Sequence, residues 1–309
     1  MTLGGDAAGL GLVGRVVAIL GGDGREAEIA RALVEAGAEV RVCGVPLGEE
    51  IAGVTSFPTV AETTRGAEIV ICPVPLPRAD GSLYAPSADR PVVVDTESLA
   101  GMHRGGLLIT GKASAQMRQA ASELQLRLRE YESEEDLMLL RAPAIAEGAI
   151  RTAIEHTDVT LHSNQCLVVG FGKIGPVLAV MLTGLGARVT VAARSPVQRA
   201  RAYALGCAPA SIDDLPSIVS GMVVIFNTVP AQLFTRRLLE HVGRQAVLID
   251  LSPPPGGVDL DAARELGVRT VWARGLGGRA PRTVGRSQWM GIRQIIAEEL
   301  GQERTGGPR

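Results

Sequence analysis

One stretch decides most of what this chain can fold into: Cys166-Leu167-Val168-Val169-Gly170-Phe171-Gly172-Lys173-Ile174-Gly175, followed by an apolar helical segment from Pro176 to Leu185. A short apolar strand, a Gly-x-Gly-x-x-Gly turn and a helix, in that order, form the first unit of a dinucleotide-binding fold. Gly170 permits the tight turn. Gly172 lets the backbone approach a pyrophosphate, and Gly175 lets the helix pack close to the strand. The helix start offers unpaired N–H groups to the phosphates. Phe171, Lys173 and Ile174 complete the turn and belong to the same expected cofactor site.

The next strand, Arg188 to Ala193, ends at Arg194-Ser195. A carboxylate at this point holds the ribose 2′-OH of NAD, whereas a guanidinium pairs with the 2′-phosphate of NADP. Arg194, with the Ser195 hydroxyl beside it and Arg199 and Arg201 nearby, predicts a preference for NADP, with NAD as the alternative. The competing reading of these arginines is a solvated helix face.

Further strands are expected near 222–226, 246–250 and 268–272. Open parallel sheets bind ligands at the carboxyl ends of their strands. The endings Asn227-Thr228-Val229-Pro230 and Asp250-Leu251-Ser252 are therefore expected to line the same crevice as the glycine turn.

The first half reads as a second α/β domain. A strand from Arg15 to Leu20 runs into Gly21-Gly22-Asp23-Gly24-Arg25 and a helix from about Glu26 to Ala36. This is a weaker fingerprint, because the strand after it ends in Gly44-Val45 and supplies neither an acid nor an arginine for a ribose. It could still bind an anion, with Arg25 close to the helix start. Strands follow at 68–72, 92–95, 106–110 and 126–131, with a helix near 114–124. Between 73 and 91 lies a Pro-rich loop, long for a compact domain, and such loops are often functional.

A short helix near 133–142 and a connector helix from Ala144 to His156 are expected to join the halves, and a helix from about Thr283 to Leu300 to return to the first. Residues 1–14 and 302–309 read as a loose lead-in and a frayed tail. The fold class is thus α/β, with two Rossmann-like or flavodoxin-like doubly wound parallel-sheet domains joined by a connector helix. The domains are an N-terminal substrate-side domain at 1–143, a cofactor-binding domain at 144–282, and the returning helix at 283–309.

At 309 residues, with 46% hydrophobic and 21% charged, the chain is globular and long enough for two cores. A net charge of −2 gives no electrostatic case for nucleic acid or an acidic membrane. No apolar run is long enough to span a bilayer. The N-terminus shows no basic segment followed by an apolar core and cleavage site, so a cytoplasmic protein is expected. Cys43, Cys72, Cys166 and Cys207 include no C-x-x-C pair and read as small buried hydrophobes. His103, His156, His162 and His241 are scattered, so no metal is expected. Lys112 and Lys173 are the only lysines, which leaves Lys112 as the one candidate for Schiff-base chemistry.

An ordered set of motifs then carries a family resemblance over about residues 15 to 300. It comprises Gly21-Gly22-Asp23-x-Arg25, Glu147-Gly148-Ala149-Ile150 with His156-Thr157-Asp158, and the Gly170–Gly175 turn. It continues through Ala193-Arg194-Ser195, Asn227-Thr228-x-Pro230, Asp250-Leu251 with Pro255-Gly256-Gly257-x-Asp259, and Gly275-Leu276 with Ala280-Pro281-x-Thr283. The chain resembles the A subunit of dipicolinate synthase, an oxidoreductase of spore-forming bacteria. It departs from that pattern at Arg141-Ala142-Pro143-Ala144-Ile145-Ala146 and at Gly277, both in expected substrate-facing segments.

The resemblance implies oxidation of dihydrodipicolinate to pyridine-2,6-dicarboxylate, with NAD(P)+ taking the hydride, during sporulation in the mother cell. It also implies a flavoprotein-like second subunit, the B subunit of dipicolinate synthase, and an oligomeric assembly is expected. Under this reading His156 is the candidate base, a residue type suited to neutral pH, with Asp158 to orient it and Glu147 as a further site acid. The competing readings are a helix-capping histidine, a turn residue and an exposed helix residue. Arg25, Arg279 and Arg282 are the candidate clamps for substrate carboxylates. Two other functions stay open: an NADP-dependent reductase of a small hydroxy or keto acid, and a non-catalytic nucleotide-sensing protein within a complex.

Overall fold

A computed structural model describes residues 10–131 and 135–305. Residues 1–9 of the expected lead-in, 306–309 of the expected tail, and 133–134 of the expected short helix lie outside the described residues. The chain divides into two compact units. One runs to Leu140 and resumes at Ala280, and the other is Arg141–Arg279.

In the first unit, strands β1 (Val16–Leu20), β2 (Glu39–Cys43), β3 (Val54–Ser56), β4 (Ile69–Ile71), β5 (Leu107–Thr110) and β6 (Arg127–Glu130) form one sheet, ordered β3-β2-β1-β4-β5-β6. Every pairing is parallel. The helices between them are α1 (Gly24–Glu35), α2 (Val60–Thr64), α3 (Thr96–Leu99) and α4 (Ala115–Glu123). Helix α5 (Glu135–His156) then carries the chain into the second unit.

The second sheet contains β7 (Gln165–Val169), β8 (Arg188–Ala192), β9 (Ala208–Ala210), β10 (Val224–Asn227), β11 (Val247–Asp250) and β12 (Arg269–Trp272), ordered β12-β11-β10-β7-β8-β9. Its helices are α6 (Gly175–Gly184), α7 (Pro196–Ala204), α8 (Leu215–Ile218), α9 (Arg236–Leu239) and α10 (Leu260–Leu266). Helix α11 (Pro281–Thr305) returns to the first unit and packs along α1. Both sheets therefore have the doubly wound order of a dinucleotide-binding fold, in which the crevice at the strand-order reversal takes the ligand. Neither has the flavodoxin order.

Alternation along the strands builds a core on each face, as a parallel sheet covered on both sides requires. In β1, Val17 and Ile19 enter one buried cluster with Ile29 and Leu33 of α1 and Ile292, Ile295 and Ile296 of α11. Ala18 and Leu20 enter the other, with Leu99 of α3 and Met117 of α4. In β7, Cys166 and Val168 face Leu178 and Leu182 of α6, while Leu167 and Val169 face Leu215 and Leu239.

Two local expectations are corrected. The segments 133–142 and 144–156, expected as two helices, are from Glu135 one helix with Pro143 inside it. Residues 92–95 form no strand: Val93 makes an isolated bridge to Ser82, and Asp95 caps α3 by accepting from Ser98 N at 2.8 Å. The three-residue strands β3 and β9 are too short to announce themselves by alternation.

Candidate active site

The last residues of five strands stand side by side in the second sheet. Val169 pairs with Ala192 and with Asn227, Asn227 with Asp250, and Asp250 with Trp272. The loops that follow share one edge: the glycine turn, Arg194-Ser195, Thr228 to Pro230 and Ser252 to Gly257.

The three glycines do three different things. Gly170 has φ +93°, and a Cβ there would lie 2.4 Å from Thr228 Oγ1. A Cβ on Gly175 would lie 2.3 Å from the Gly170 carbonyl oxygen, so only glycine lets α6 start so close to β7. Gly172 is exposed and a Cβ on it would meet nothing within 4 Å, which leaves its backbone open to an incoming group. The N-cap of α6 is Ile174, whose side chain cannot accept a hydrogen bond, so no side chain closes the helix start. This turn fits a dinucleotide pyrophosphate.

Supporting residues hold that edge in shape. Gln198 Nε2 of α7 donates to the Phe171 carbonyl at 3.1 Å. Arg199 donates to the carbonyls of Ala193 and Arg194 at 2.9 and 2.8 Å, so it shapes the β8 ending and is not a free cation. Arg194 is exposed, and its side chain has no hydrogen-bond or ion-pair partner among the described residues. Ser195 is the N-cap of α7, but its side chain makes no capping bond. Sequence reasoning misses Gln198, since nothing in a helix-face glutamine announces a carbonyl partner 27 positions earlier.

Asn227 and Asp250 are expected among the cofactor-binding residues, and their environment shows a different use. Both are buried. Asp250 Oδ1 accepts from Asn227 Nδ2 at 2.9 Å, Ser252 N at 3.1 Å and Ser252 Oγ at 2.6 Å, and Oδ2 accepts from Gly257 N at 2.8 Å. Asn227 also bonds both backbone groups of Val229. These saturated groups fasten the loops from behind. Thr228 Oγ1 is likewise engaged, donating to the Val169 carbonyl at 3.0 Å. Val229 is half-buried and Pro230 exposed on the same loop.

Helix α5 separates the expected catalytic residues. Near its middle, Gly148 packs so closely on Leu276 that a Cβ would lie 3.0 Å from the Leu276 Cβ, and Glu147 accepts from Arg279. This segment follows β12, so Glu147 and Arg279 lie toward the carboxyl edge of the sheet. From Glu147 to Glu155 one face of α5 lines a groove with Met181, Gly184 and Leu185 along α6, whose end lies at the opposite edge of the sheet, and α5 ends there at His156. His156 is exposed there, and its Nδ1 donates to the Thr152 carbonyl at 2.8 Å. Asp158 is exposed and makes no bond to it among the described residues. The pairing of His156 with Asp158 as a base at the crevice is therefore corrected: a helix running antiparallel to β7 carries its last turn away from the glycine turn.

The first glycine turn is closed. Asp23 accepts from Arg25 N at 3.0 Å, and Glu26 Oε2 accepts from Asp23 N at 2.7 Å, a reciprocal capping box on α1. A Cβ on Gly22 would lie 2.3 Å from the Glu26 side chain, and one on Gly24 would lie 3.1 Å from Pro281. Gly22 N donates to the Tyr84 carbonyl at 2.6 Å. Arg25 is buried, and its guanidinium pairs with both Asp23 oxygens at 2.8 and 3.0 Å. Two carboxylates thus stand where a phosphate would bind. The expectation of Arg25 as a free carboxylate clamp is corrected, because its charge is already matched. Burial pushes Glu26 up to about 7, against the opposing pull of Arg25. Arg282, on α11, is exposed.

Burial raises the thiols of Cys43, Cys72 and Cys166, the last to about 11, which suits inert core residues. Among the described residues no group of three His, Cys, Asp or Glu could hold a metal ion. No helix among them is long and apolar enough to cross a membrane.

Comparison with known proteins matches this geometry. Residues 141–253 match the family described as D-isomer specific 2-hydroxyacid dehydrogenase, NAD binding domain. With the open turn and the aligned strand ends, this makes the chain an NAD(P)-dependent oxidoreductase built on two Rossmann-like domains. Residues 16–132 match the N-terminal domain of the dipicolinate synthase A subunit. The A subunit of dipicolinate synthase from Bacillus subtilis (strain 168) is 28% identical over 294 residues, 94% of this chain and 99% of that one. The solved structure of the A subunit from Bacillus halodurans superposes with a TM-score of 0.85 at 27% identity, covering 92% of this chain and 98% of that one. The Bacillus subtilis structure gives 0.83 at 28% identity, covering 94% and 98%. The chain resembles the dipicolinate synthase A subunit over nearly its whole length.

Proposed function

We propose that this protein oxidises dihydrodipicolinate to pyridine-2,6-dicarboxylate with NADP+, together with a flavoprotein-like second subunit, as a cytoplasmic enzyme of sporulating cells. The carrying observation is that a glycine turn open to a dinucleotide belongs to a chain whose other domain also resembles the dipicolinate synthase A subunit. A bound nicotinamide would supply the hydride acceptor for the ring. A proton leaves with the hydride, and the ring becomes aromatic, which supplies much of the driving force. The protein's task is then mainly positioning.

Gly170, Gly172 and Gly175 would hold the pyrophosphate. Thr228 to Pro230, fixed by Asn227 and Asp250, would bound the nicotinamide end. The preference for NADP rests on the Arg194 side chain, free of partners, and on the uncommitted Ser195 hydroxyl at the start of α7. A 2′-phosphate there would gain a guanidinium and a helix terminus together. The exposed Arg282 is offered as a cation for substrate carboxylates, and Arg279 would serve by exchanging its exposed Glu147 partner for one.

The test supplies freshly made dihydrodipicolinate and NADP+ and follows reduced cofactor. Turnover above spontaneous oxidation is expected, stronger with the second subunit. None with or without it would reject the reading. A second reading, a reductase of a small 2-hydroxy or keto acid, is favoured by the family match of residues 141–253. A panel of 2-keto acids with NADPH separates the two.

A further inference from the structure

We propose that Arg78 and Arg90, on the Pro-rich loop of the first domain, form a binding pocket for a small carboxylate of the substrate's class. The loop is not slack. Arg78 N donates to the Ser82 carbonyl at 2.8 Å and Gly81 N to the Arg78 carbonyl at 2.9 Å, which closes a turn. Ser82 bridges to Val93 in antiparallel fashion, and Leu83 N donates to the Val92 carbonyl at 2.8 Å. The segment therefore folds back on itself with Arg78 on one arm and Arg90 on the other.

This hairpin is pinned to the carboxyl edge of the first sheet. A Cβ on Gly21, just after β1, would lie 3.1 Å from the Tyr84 carbonyl oxygen. One on Gly44, just after β2, would lie 2.6 Å from Val92. The carboxyl edge is the ligand side of a doubly wound sheet. The glycine turn of this domain is closed by Asp23 and Glu26, and cavities lie instead along this loop.

Between the arms lies a cavity of about 170 Å³ lined by both arginines, Ser82 and Asp89. It abuts a larger one of about 850 Å³ along Asp89 to Val92. Both arginines are exposed, and neither side chain makes a hydrogen bond or ion pair among the described residues. The acid next to Arg78, Asp80, is engaged by Ser82 N and Oγ at 2.9 and 2.6 Å. Arg78 lies close enough to Asp80 to help Ser82 lower its carboxyl, but neither guanidinium spends its N–H groups on a carboxylate, so both planar forks remain open to an anion entering the cavity. Its volume is below the roughly 300–1,000 Å³ of ordinary ligand pockets, which selects a carboxylate head or a small ring acid over a nucleotide. Planar guanidiniums suit planar carboxylates, since each can bond both oxygens.

This inference rests on the proposed function only for the identity of the acid, so the test measures binding and not turnover. Pyridine-2,6-dicarboxylate, uncharged pyridine and inorganic phosphate are titrated calorimetrically into the full chain. Measurable binding of the dicarboxylate and none of pyridine is expected. R78M and R90M should each weaken it about tenfold and the double variant about a hundredfold, as loss of charge-assisted hydrogen bonds predicts. R78K/R90K should retain more affinity than the double methionine variant, and NADP+ affinity should not change in any of them. If the double methionine variant does not fold, the single and lysine variants decide. Wild-type affinity in the double variant, no dicarboxylate binding by the native chain, or equally tight phosphate would overturn the proposal. Arginine-dependent binding without turnover would reject the proposed reaction and leave the pocket standing. Turnover with an unchanged KM in the double variant would do the reverse.

Discussion

The two glycine-rich turns occupy equivalent places, each after the first strand of a sheet with the same strand order, and they end differently. After β7 the helix begins at Ile174, which has no side-chain cap, and Gly172 faces open space. After β1 the helix begins at Asp23, and Asp23 and Glu26 close its N–H groups in a capping box. The same glycine spacing thus leaves an open helix start in one domain and a sealed turn in the other. Glycine supplies the backbone path, and the residue types at the N-cap and N3 positions decide whether the helix start remains available to a ligand.

The largest effect that can break this contrast is at Gly175. Gly175→Val places a side chain against the Gly170 carbonyl, which is backbone and cannot rotate away. We expect a stability loss of about 3 kcal/mol or more in denaturant melts, with loss of cofactor binding.

The sealed turn is probed by pH. Burial raises Glu26 from an ordinary 4.5 to about 7 in the folded protein. The stability it contributes is therefore complete below pH 4.5 and is lost as the pH rises through about 7. Glu26→Gln, which stays neutral, should be more stable than wild type on the alkaline side by on the order of 1–3 kcal/mol, and nearly equal to it near pH 5. Melts of both proteins across that range check this, and parallel curves would remove the buried carboxyl from the account.

On the open turn, Arg194→Ser should lower the NADP-over-NAD selectivity in KM by about 10- to 100-fold, the worth of a charge-assisted contact. The smallest effect expected is at His156. A general base contributes about 10²–10⁴-fold, so unchanged kcat in His156→Ala would agree with its place at the far edge of the sheet.

Much of the contrast is legible in the sequence. The fingerprint, the strand endings and Arg194 are local patterns whose positions the fold dictates, and all reach one edge of the second sheet. The first turn is also legible as the weaker cofactor site, although from the missing ribose partner after β2 and not from its own acids. What escapes depends on direction and on distant partners. The Glu147–Gly148 and His156–Asp158 motifs stand at the middle and the end of α5, and sequence does not say that this helix runs from one edge of the sheet to the other. Arg25 has the right residue type beside the right helix, yet its pairing with Asp23 two positions earlier removes it as a free charge. Asn227 and Asp250 sit at the expected place in the chain, but their bonds point to each other and to the loop behind.

If the second turn is the dinucleotide site, each chain binds one dinucleotide there. Calorimetric titration with NADP+, comparing the native protein with Gly172→Val, measures this. A Cβ at Gly172 meets no protein atom within 4 Å and the residue is exposed, so the variant is expected to fold, which its melting curve checks. One NADP+ per native chain and none on the folded variant are expected. Two sites per native chain, or binding that survives in Gly172→Val, would contradict that.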